Sequence, residues 1–507
     1  MNPMTETSPA ARPNLLLIMS DQHAQRIAGC YGDTVVRTPS IDSLARRGVV
    51  FDNAYCPSPI CLPSRMSALT GRYPVRQSCW TNTDYLSSDI PTFAHALGAA
   101  GLDPVLVGRM HALGPDQLHG YVRRLVGDHS PNWIGIPRHD MGQLANANDP
   151  WRVSVVKSGA GRSSYELKDL DVADAAVETL RGIARRREAG DASPFAVTVG
   201  FMLPHPPYVA RAEDFSLYDG IVPPPAIAPA AREGEHAFIA WWRDNRDIRN
   251  VGAAEAMRAR AAYYALTHRL DILVGRVLGE LERLGLAENT LVVYTSDHGD
   301  HIGERGLWWK HTLFDESVKI PLILSWPGVL PEGERRDAVV NLVDLAPTML
   351  EAVGAPQLPN ADGRSFLAVA RNAGAPWIDE TFAEYCTDPT PDWTGGKAVR
   401  QRMLRTARYK LNYYDGCAPQ LFDMIDDPGE QRDLAADPRY AAVRDALVAR
   451  ILADWDPRAV AERMEARARD KALIAAWGKA VRPPSEYLWE LLPEDNFLDG
   501  AVAAAAP

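Results

Sequence analysis

Cysteine, long apolar runs and surplus positive charge are all scarce in this sequence. Six cysteines occur in 507 residues and form no CxxC pair, so neither a paired-cysteine zinc site nor a dense disulfide framework is expected. No stretch reaches the roughly 18 consecutive apolar residues of a membrane span, and Met1–Arg12 lacks the apolar and basic regions of a signal peptide. We therefore predict a cytoplasmic protein without a membrane span.

The charge balance is acidic, with 54 Lys and Arg residues against 65 Asp and Glu residues and a formal net charge of −11. Such a surface offers no general attraction for nucleic acids or anionic membranes, so any anion-binding site must be local. Hydrophobic residues make up 46% of the chain, as in ordinary soluble globular proteins. These values favour a small-molecule partner over nucleic acid or a membrane.

Short apolar runs alternate with longer segments of helical periodicity. This pattern predicts an α/β fold with a large, mainly parallel sheet flanked by helices. A helix is expected over Leu266–Leu284, where leucines and valines form one stripe, and Gly285 would end it. The clearest predicted strands, whose continuous apolar character suits burial on both faces, are Leu15–Met19, Val105–Val107, Phe195–Met202 and Leu291–Thr295.

The character of the sequence changes near its last quarter. Short strand-like runs at Ala398–Leu404 and Tyr409–Tyr414 precede helix-forming sequence rich in Ala and Arg, which is typical of a smaller α+β domain. We therefore predict a disordered N-terminus at residues 1–12, a large α/β domain carrying the site at residues 13–378, and a smaller C-terminal α+β domain with a tail at residues 379–507.

Each of the four clearest strands runs directly into polar residues. Taken singly, each such residue has an ordinary explanation, such as an Asp that caps a turn. In an open parallel sheet, however, the carboxyl ends of the strands meet at one crevice, so we expect the side chains to converge there. In chain order these residues are Asp21 and Gln22, then Arg109 and His111, then His205, and finally Asp297 and His298.

A metal ion is the simplest reason to bring acidic side chains together, because buried carboxylates without a cation repel one another. Asp21, Gln22 and Asp297 would offer oxygen ligands and His298 an imidazole. Oxygen-rich ligation favours calcium, manganese or magnesium, and the imidazole favours manganese slightly. Among these we expect one divalent ion, calcium first.

A second signal is the segment that begins at Cys61. Pro63 suits the first turn of a helix and Gly71 suits its end, so Cys61 lies at or just before a helix N-terminus. The helix dipole and Arg65 would stabilise negative charge there. Two interpretations stay open: a structural buried thiol, or the nucleophile of a cysteine hydrolase with a lowered thiol pKa. The second would need no metal.

Cys61–Arg65 followed by Leu69–Arg72 resembles the signature of type I sulfatases of the alkaline-phosphatase superfamily. In that family the cysteine is converted to formylglycine, whose hydrate next to a metal ion is the nucleophile. The resemblance also covers Pro13–Gln22, Ser296–Asp300, Gly303–Lys310 and Leu421–Leu434. It therefore spans most of the chain and implies an alkaline-phosphatase-like fold.

The resemblance implies a role for each matched position. The metal ligands would be Asp21, Gln22, Asp297, His298 and the formylglycine derived from Cys61. Arg65 would hold the modified side chain, and the sulfate oxygens and protons would be handled by Arg109, His111, His205 and Lys310. Within that set His205 or Lys310 would assist the leaving alcohol, and His111 would deprotonate the second hydroxyl. Arg109 stands where the family usually has Lys, and a planar guanidinium is not equivalent to an ammonium.

The implied reaction is hydrolysis of a sulfate monoester to an alcohol and inorganic sulfate. A formylglycine-generating or anaerobic sulfatase-maturing enzyme would be a partner, and a homo-oligomer is compatible with the sequence. Gly108–Tyr121 and His139–Gly142 are similar to choline sulfatases, which makes choline-O-sulfate, or another small alkyl or aryl sulfate, the expected substrate. Trp133, His139 and Glu384 would then contact the alcohol, since a quaternary ammonium favours aromatic faces and a carboxylate.

Three features depart from choline sulfatases: Pro63 stands where Ala is usual, residues 143–164 differ, and the end of the chain is shorter. Two alternatives therefore remain. The first is a phosphonate monoester or phosphodiester hydrolase of the same superfamily, because that relative shares the modified cysteine and the acidic pairs. The second is a catalytically inactive anion-binding protein in which Cys61 is never modified.

Overall fold

A mixed sheet of eight strands forms the centre of the computed structural model, which describes residues 12–388 and 397–500. In chain order the strands of the protein are β1 (Asn14–Asp21), β2 (Val49–Tyr55), β3 (Asp103–Gly108), β4 (Arg123–Leu125), β5 (Gly159–Arg162), β6 (Phe195–Pro204), β7 (Val209–Ala210), β8 (Thr290–Ser296), β9 (Leu322–Ser325), β10 (Glu334–Asn341), β11 (Glu380–Cys386), β12 (Arg400–Thr406), β13 (Tyr409–Tyr414), β14 (Gln420–Asp423) and β15 (Phe497–Leu498). The large sheet has the order β10-β2-β9-β8-β1-β6-β3-β4.

Most neighbours in the large sheet are parallel. β1 lies between β6 and β8 and is parallel to both, whereas β9 is antiparallel to β2 and to β8. All eight residues of β1 are buried, as expected for a strand covered on both faces. The four strands predicted from apolar runs are present as β1, β3, β6 and β8, so the predicted α/β fold class is confirmed.

Helices flank this sheet in two groups. α6 and α9 pack against β6 and each other, and α4 packs on β3 and contacts α2 and α11. The helix predicted over Leu266–Leu284 is the second half of α9, and Gly285 follows it in the left-handed conformation with φ 64°. The helices are α1 (Pro39–Arg46), α2 (Cys61–Thr70), α3 (Pro74–Gln77), α4 (Phe93–Ala99), α5 (Arg152–Val156), α6 (Ser164–Glu188), α7 (Ala212–Phe215), α8 (Ala237–Asn245), α9 (Ala253–Arg283), α10 (Asp315–Val318), α11 (Leu345–Ala352), α12 (Leu367–Arg371), α13 (Ala441–Leu452) and α14 (Pro457–Val481).

Two smaller sheets complete the fold. β11, β12, β13 and β14 form an antiparallel sheet, against which α13 packs. β15, β5 and β7 form a mixed sheet of three strands, in which β5 is antiparallel to β15 and parallel to β7. The division of the chain near residue 379 remains our proposal, and residues 1–11 and 501–507 of the predicted termini lie outside the described residues. Within the described part of the chain, no helix combines the length and the apolar character needed to cross a membrane.

Candidate active site

Cys61 is the first residue of α2, as the Pro63 and Gly71 pattern predicts. Ile60 before it is extended (φ −147°), and Gly71 ends the helix in the left-handed conformation (φ 66°). All ten residues of α2 are buried. The helix therefore holds Cys61, which is 1% exposed, with its sulfur directed at the carboxyl ends of the central strands.

Four side chains form one buried cluster beside the start of α2. One ligand atom each from Asp21, Cys61, Asp297 and His298 lies within 4.8 Å of the others. The cluster follows from the pairing of the strands. β1 and β8 are parallel neighbours with Ser20 opposite Ser296, so the next residues, Asp21 and Asp297, lie side by side at the carboxyl ends of the two strands. Cys61 Sγ lies 3.6 Å from Asp21 Oδ1 and 3.3 Å from His298 Nε2.

Gln22 provides the observation that tests whether this cluster fits a cation. Its backbone is left-handed (φ 68°), its Nε2 donates to Asp300 Oδ2 at 2.7 Å, and its Oε1 is buried without a hydrogen-bond partner. A buried oxygen without a donor costs free energy, and a hard cation would satisfy it. Carboxylate and amide oxygens with one imidazole are a donor set for calcium, magnesium or manganese. The residues present therefore fit a divalent cation.

Arg65 is fully buried and connects the two carboxylates of the cluster. Its Nε donates to Asp297 Oδ2 at 2.8 Å and one of its terminal nitrogens to Asp21 Oδ2 at 3.2 Å. A further terminal nitrogen donates to the backbone oxygen of Arg109 at 3.2 Å. Arg65 thus positions Asp21 and Asp297, and its side-chain ion pairs are made with these two acidic residues beside Cys61.

The charges of the cluster are strongly coupled. Burial raises the pKa of Asp297 above its ordinary value in spite of Arg65. Burial and Cys61 also raise the pKa of Asp21, but Arg109, His205 and Arg65 together hold it below its ordinary value. Two carboxylates this close do not ionise independently, so a bound cation would favour the form in which both are charged.

Lys310 brings positive charge to the sulfur. Its Nζ lies 3.0 Å from Cys61 Sγ and 3.2 Å from His298 Nε2. Burial raises the pKa of the Cys61 thiol, but Lys310 and His298 outweigh this and hold it well below its ordinary value. The position occupied by the sulfur is therefore one at which negative charge is stabilised.

Arg109 uses all three of its nitrogens. Nε donates to Asp21 Oδ2 at 2.5 Å, and the two terminal nitrogens donate to Asp128 Oδ1 at 2.8 Å and to His111 Nδ1 at 2.9 Å. A guanidinium can only donate, so His111 Nδ1 is the acceptor. Burial and Arg109 both lower the pKa of His111, which keeps the ring neutral with its proton on Nε2.

Asp128 belongs to the candidate site, and the sequence analysis did not identify it. It is 3% exposed, and its Oδ2 accepts a hydrogen bond from the backbone nitrogen of His111 at 2.8 Å while Oδ1 binds Arg109. It follows β4, a strand of three residues with too little apolar sequence to be recognised. The available signal was its position shortly after a strand, with Val126 and Gly127 between β4 and Asp128.

His205 follows β6 and has its ring orientation fixed by the backbone. Its Nδ1 lies 2.6 Å from the backbone oxygen of Pro206, so Nδ1 donates to that oxygen and the other ring nitrogen, Nε2, carries no proton in the neutral ring. The side chain faces Asp21 and Cys61. The predicted convergence of strand-end residues is therefore observed for all four strands.

A cavity of about 280 Å³ opens above these residues. Its polar end contains Cys61, Arg109, His111, His205 and Lys310. The lining also includes other predicted substrate contacts and several residues that the sequence analysis did not single out, among them Trp133, His139, Met141, Asn148, Asp149, Tyr165, Met202 and Leu491.

Glu384 does not line this cavity, which corrects its expected contact with the substrate. It is 1% exposed on β11, on the same face as Phe382 and Cys386, which belong to the apolar cluster of the C-terminal sheet. Its carboxylate lies 3.8 Å from Arg402. Side chains alternate along β11, so Glu384 lies on the face that carries this apolar cluster and not on a face directed at Cys61.

The position of Glu384 leads to a prediction about stability. Burial raises the pKa of Glu384 from 4.5 to about 7, so its neutral form stabilises the fold below pH 4.5, and that contribution is lost as the pH rises toward 7. Relative to Glu384→Gln, the wild type should lose about 3 kcal/mol of unfolding free energy between pH 4.5 and 8. Urea unfolding at both pH values measures this difference.

Glu380→Gln is the matched control, since Glu380 lies on the same strand with its side chain 27% exposed and paired with Arg450. A difference between Glu384→Gln and the wild type that is the same at both pH values would contradict the prediction.

Two family models and several known proteins match this chain. Residues 13–355 match the family model described as Sulfatase, and residues 303–455 match the model described as N-sulphoglucosamine sulphohydrolase, C-terminal. The chain is 31% identical to the choline-sulfatase of Rhizobium meliloti (strain 1021) over 498 residues, which cover 95% of this chain and 94% of the relative.

The chain is also similar to a further relative and to a solved structure. The chain is 29% identical to the multifunctional alkaline phosphatase superfamily protein PehA of Trinickia caryophylli, with 86% of this chain and 93% of the relative covered. The crystal structure of the phosphonate monoester hydrolase of Agrobacterium radiobacter matches with a TM-score of 0.72 at 24% identity, over 87% of this chain and 95% of that chain. This likeness shows a shared fold.

Proposed function

The chain belongs to the sulfatase family of sulfuric ester hydrolases, and from this premise we propose that it cleaves a small sulfate monoester with a formylglycine derived from Cys61. The observation that carries the proposal is the meeting of Cys61, Asp21, Asp297 and His298 in one buried cluster with Lys310 3.0 Å from the sulfur. We also propose that a formylglycine-generating or anaerobic sulfatase-maturing enzyme is the partner that converts Cys61.

We assign the divalent cation, calcium in our proposal, to the oxygen and imidazole ligands already described. Asp21, Gln22, Asp297 and His298 would hold it together with the modified side chain at position 61. When bound, the cation would neutralise negative charge on the sulfate oxygens and on the attacking group. Arg65 keeps the two carboxylates oriented toward it through its hydrogen bonds to both.

The cationic side chains of the cavity bind the sulfate end of the ester. Lys310 and Arg109 are buried beside the reacting position, where fixed positive charge stabilises the transition state more than it would in water. Lys310 also lies close enough to position 61 to neutralise charge there. In this arrangement the charged half of the substrate is held by groups that are already in place.

His205 and His111 handle protons at the two sides of the reaction. With Nδ1 bound to the Pro206 backbone, the protonated ring of His205 can deliver a proton from Nε2 to the leaving alcohol, as a general acid does. His111 carries its proton on Nε2 while Nδ1 accepts from Arg109. It therefore donates a hydrogen bond toward position 61, and it can act as a base there only as the other tautomer, in which Nδ1 carries the proton and no longer accepts from Arg109.

The substrate we propose is choline-O-sulfate or another small alkyl or aryl sulfate. Trp133, His139 and Tyr165 line the cavity and offer ring faces to an alkyl, aryl or quaternary ammonium group. Asp149 is the carboxylate of the described lining and is paired with Arg138 at 2.8 Å. The similarity to the Rhizobium meliloti choline-sulfatase supports the same class.

Arg109→Lys tests the departure from the usual residue of the family. An ammonium cannot bind Asp21, Asp128 and His111 together, and each hydrogen bond to a charged group contributes about 1.5 to 3 kcal/mol. We expect kcat/KM for a sulfate ester to fall about 10- to 100-fold. Steady-state kinetics measures this, with Arg123→Lys, an exposed position on β4, as control. A variant within twofold of the wild type would show that the fork geometry is not needed.

Two measurements test the proposed function itself. Mass spectrometry of the peptide containing Cys61, after co-expression with a maturation enzyme, should show the aldehyde or its hydrate. A panel of choline-O-sulfate, 4-nitrophenyl sulfate, an alkyl sulfate and a phenyl phosphonate ester, compared by kcat/KM, should show preference for a sulfate. Turnover of the phosphonate ester alone would favour the phosphonate monoester hydrolase alternative, and an unmodified thiol with sulfate binding but no turnover would favour the inactive binding protein.

A further inference from the structure

Residues 483–499, which follow α14, run across the outer wall of the cavity, and we name this segment the C-terminal strap. Asn132 donates its backbone N–H to Ser485 Oγ at 3.1 Å, and the backbone N–H of Trp489 donates to the backbone oxygen of Asp128 at 2.8 Å. Farther along, β15 pairs antiparallel with β5. The strap therefore holds together two stretches of chain, near residues 128–132 and 159–162, that are remote in sequence.

Glycines on the receiving side show that the strap is closely fitted to this wall. A Cβ at Gly127 would lie 1.2 Å from the backbone oxygen of Tyr487, and a Cβ at Gly142 would lie 2.2 Å from that of Pro493. A Cβ at Gly161 would lie 2.2 Å from the backbone oxygen of Phe497. Any side chain at these three positions would displace the strap, so its path depends on their being glycine.

Asn496 provides a polar anchor for the same path. It is 1% exposed, its Oδ1 accepts from the backbone nitrogen of Ser164 at 3.0 Å, and its Nδ2 donates to Ser164 Oγ at 2.7 Å. The backbone nitrogen of Gln143 also donates to the backbone oxygen of Asn496 at 3.1 Å. These buried hydrogen bonds fix the register of the strap, and therefore which of its side chains faces inward.

Leu491 is the strap residue that faces the cavity. It is 4% exposed, lines the cavity, and belongs to an apolar cluster with Met141, Tyr165 and Met202, all of which also line it. Its neighbour Leu492 is 41% exposed and turns outward. An apolar side chain offers nothing to sulfate oxygens, so Leu491 can contact only the alcohol part of an ester.

We propose that Leu491 is a specificity-determining residue, through which the C-terminal strap sets the size of the alcohol group that the cavity accepts. The inference rests on the proposed function, because it assumes that the polar end of the cavity binds the sulfate. The apolar end of the cavity is then closed by Leu491, a residue of the C-terminal strap. Changes at this position alter the preference between bulky and small esters and leave the binding of the sulfate group unaltered.

The test compares two opposite changes with a matched control. Leu491→Trp should lower kcat/KM for 2-naphthyl sulfate at least about 10-fold, the effect expected when a hydrophobic pocket becomes too small for its ligand. The same variant should change kcat/KM for methyl sulfate less than about threefold, because methyl sulfate is small enough for the reduced pocket. Leu491→Ala should shift the ratio of the two values in the opposite direction. Leu492→Trp places the same ring one residue farther along, on the exposed side, and should leave the ratio unchanged.

A binding measurement makes the test independent of turnover. In a Cys61→Ala background, calorimetry should show that Leu491→Trp weakens binding of 2-naphthyl sulfate and leaves that of inorganic sulfate unaltered. Equal losses for both ligands, or a ratio that matches the Leu492→Trp control, would overturn the inference while the proposed function stands. A wild type that neither binds nor cleaves any sulfate ester would overturn the proposed function and the inference with it. Thermal unfolding of each variant checks that it is folded.

Discussion

Cys61→Ala is expected to lower turnover of sulfate esters by at least about 10⁴-fold, as removal of a catalytic nucleophile does in other hydrolases, with little change in the fold. Cys61 is the first residue of α2, where Ala is a good helix former, and the change removes a single sulfur atom from the cavity wall. Steady-state kinetics and thermal unfolding of the purified variant measure the two effects.

The control is Cys79→Ala, which removes another fully buried thiol outside the lining of the cavity. This variant should turn over substrate like the wild type. If Cys61→Ala retained more than about 1% of the wild-type rate, far above the loss expected for a nucleophile, position 61 would not provide the attacking group.

Asp297→Ala is expected to remove the metal and the activity together. The substitution deletes a carboxylate of the buried cluster and leaves Arg65, which donates to Asp297 at 2.8 Å, with one acidic partner fewer. Even the outer partners of a metal ligand contribute about 10- to 100-fold in affinity or activity, so loss of a ligand should exceed that. Elemental analysis of the purified protein, together with kcat/KM, measures both quantities.

Asp271→Asn is the matched control for this experiment. Asp271 is also buried, but its carboxylate accepts hydrogen bonds from the backbone of Ser40 and Ile41 at the start of α1, away from the cluster. That variant should keep its metal content whatever its effect on stability. An Asp297→Ala protein that keeps one metal ion per chain would exclude Asp297 as a ligand.

Residues at the ends of central strands could be predicted because local sequence determines both the strand and the polar residues directly after it. Asp21 and Asp297 come after continuous apolar runs, and parallel pairing brings the ends of such runs to one crevice. The position of Cys61 was equally predictable, since Pro63 and Gly71 mark the two ends of its helix. In these cases a short stretch of chain contains the whole signal.

The remaining parts of the site depend on contacts between distant segments. Leu491 lies in an irregular stretch, and nothing near it in sequence shows that it reaches a cavity built mainly by residues 61–205 and 310–311. Glu384 is the opposite case, because it was predicted to contact the substrate and does not line the cavity. Its position could not be predicted, since the direction in which each face of β11 points depends on how the C-terminal sheet packs. Asp128 follows a strand too short to show any period.

The C-terminal strap is synthesised long after helix α2. Residue 61 leaves the ribosome 424 positions before residue 485, an interval of roughly 20 to 85 seconds at about 5 to 20 residues per second. In the folded protein all of α2 is buried, so the maturation enzyme that we propose would reach Cys61 while the chain is still unfolded. The strap is synthesised after α2, and it would complete the wall of the pocket once the proposed conversion of Cys61 has taken place.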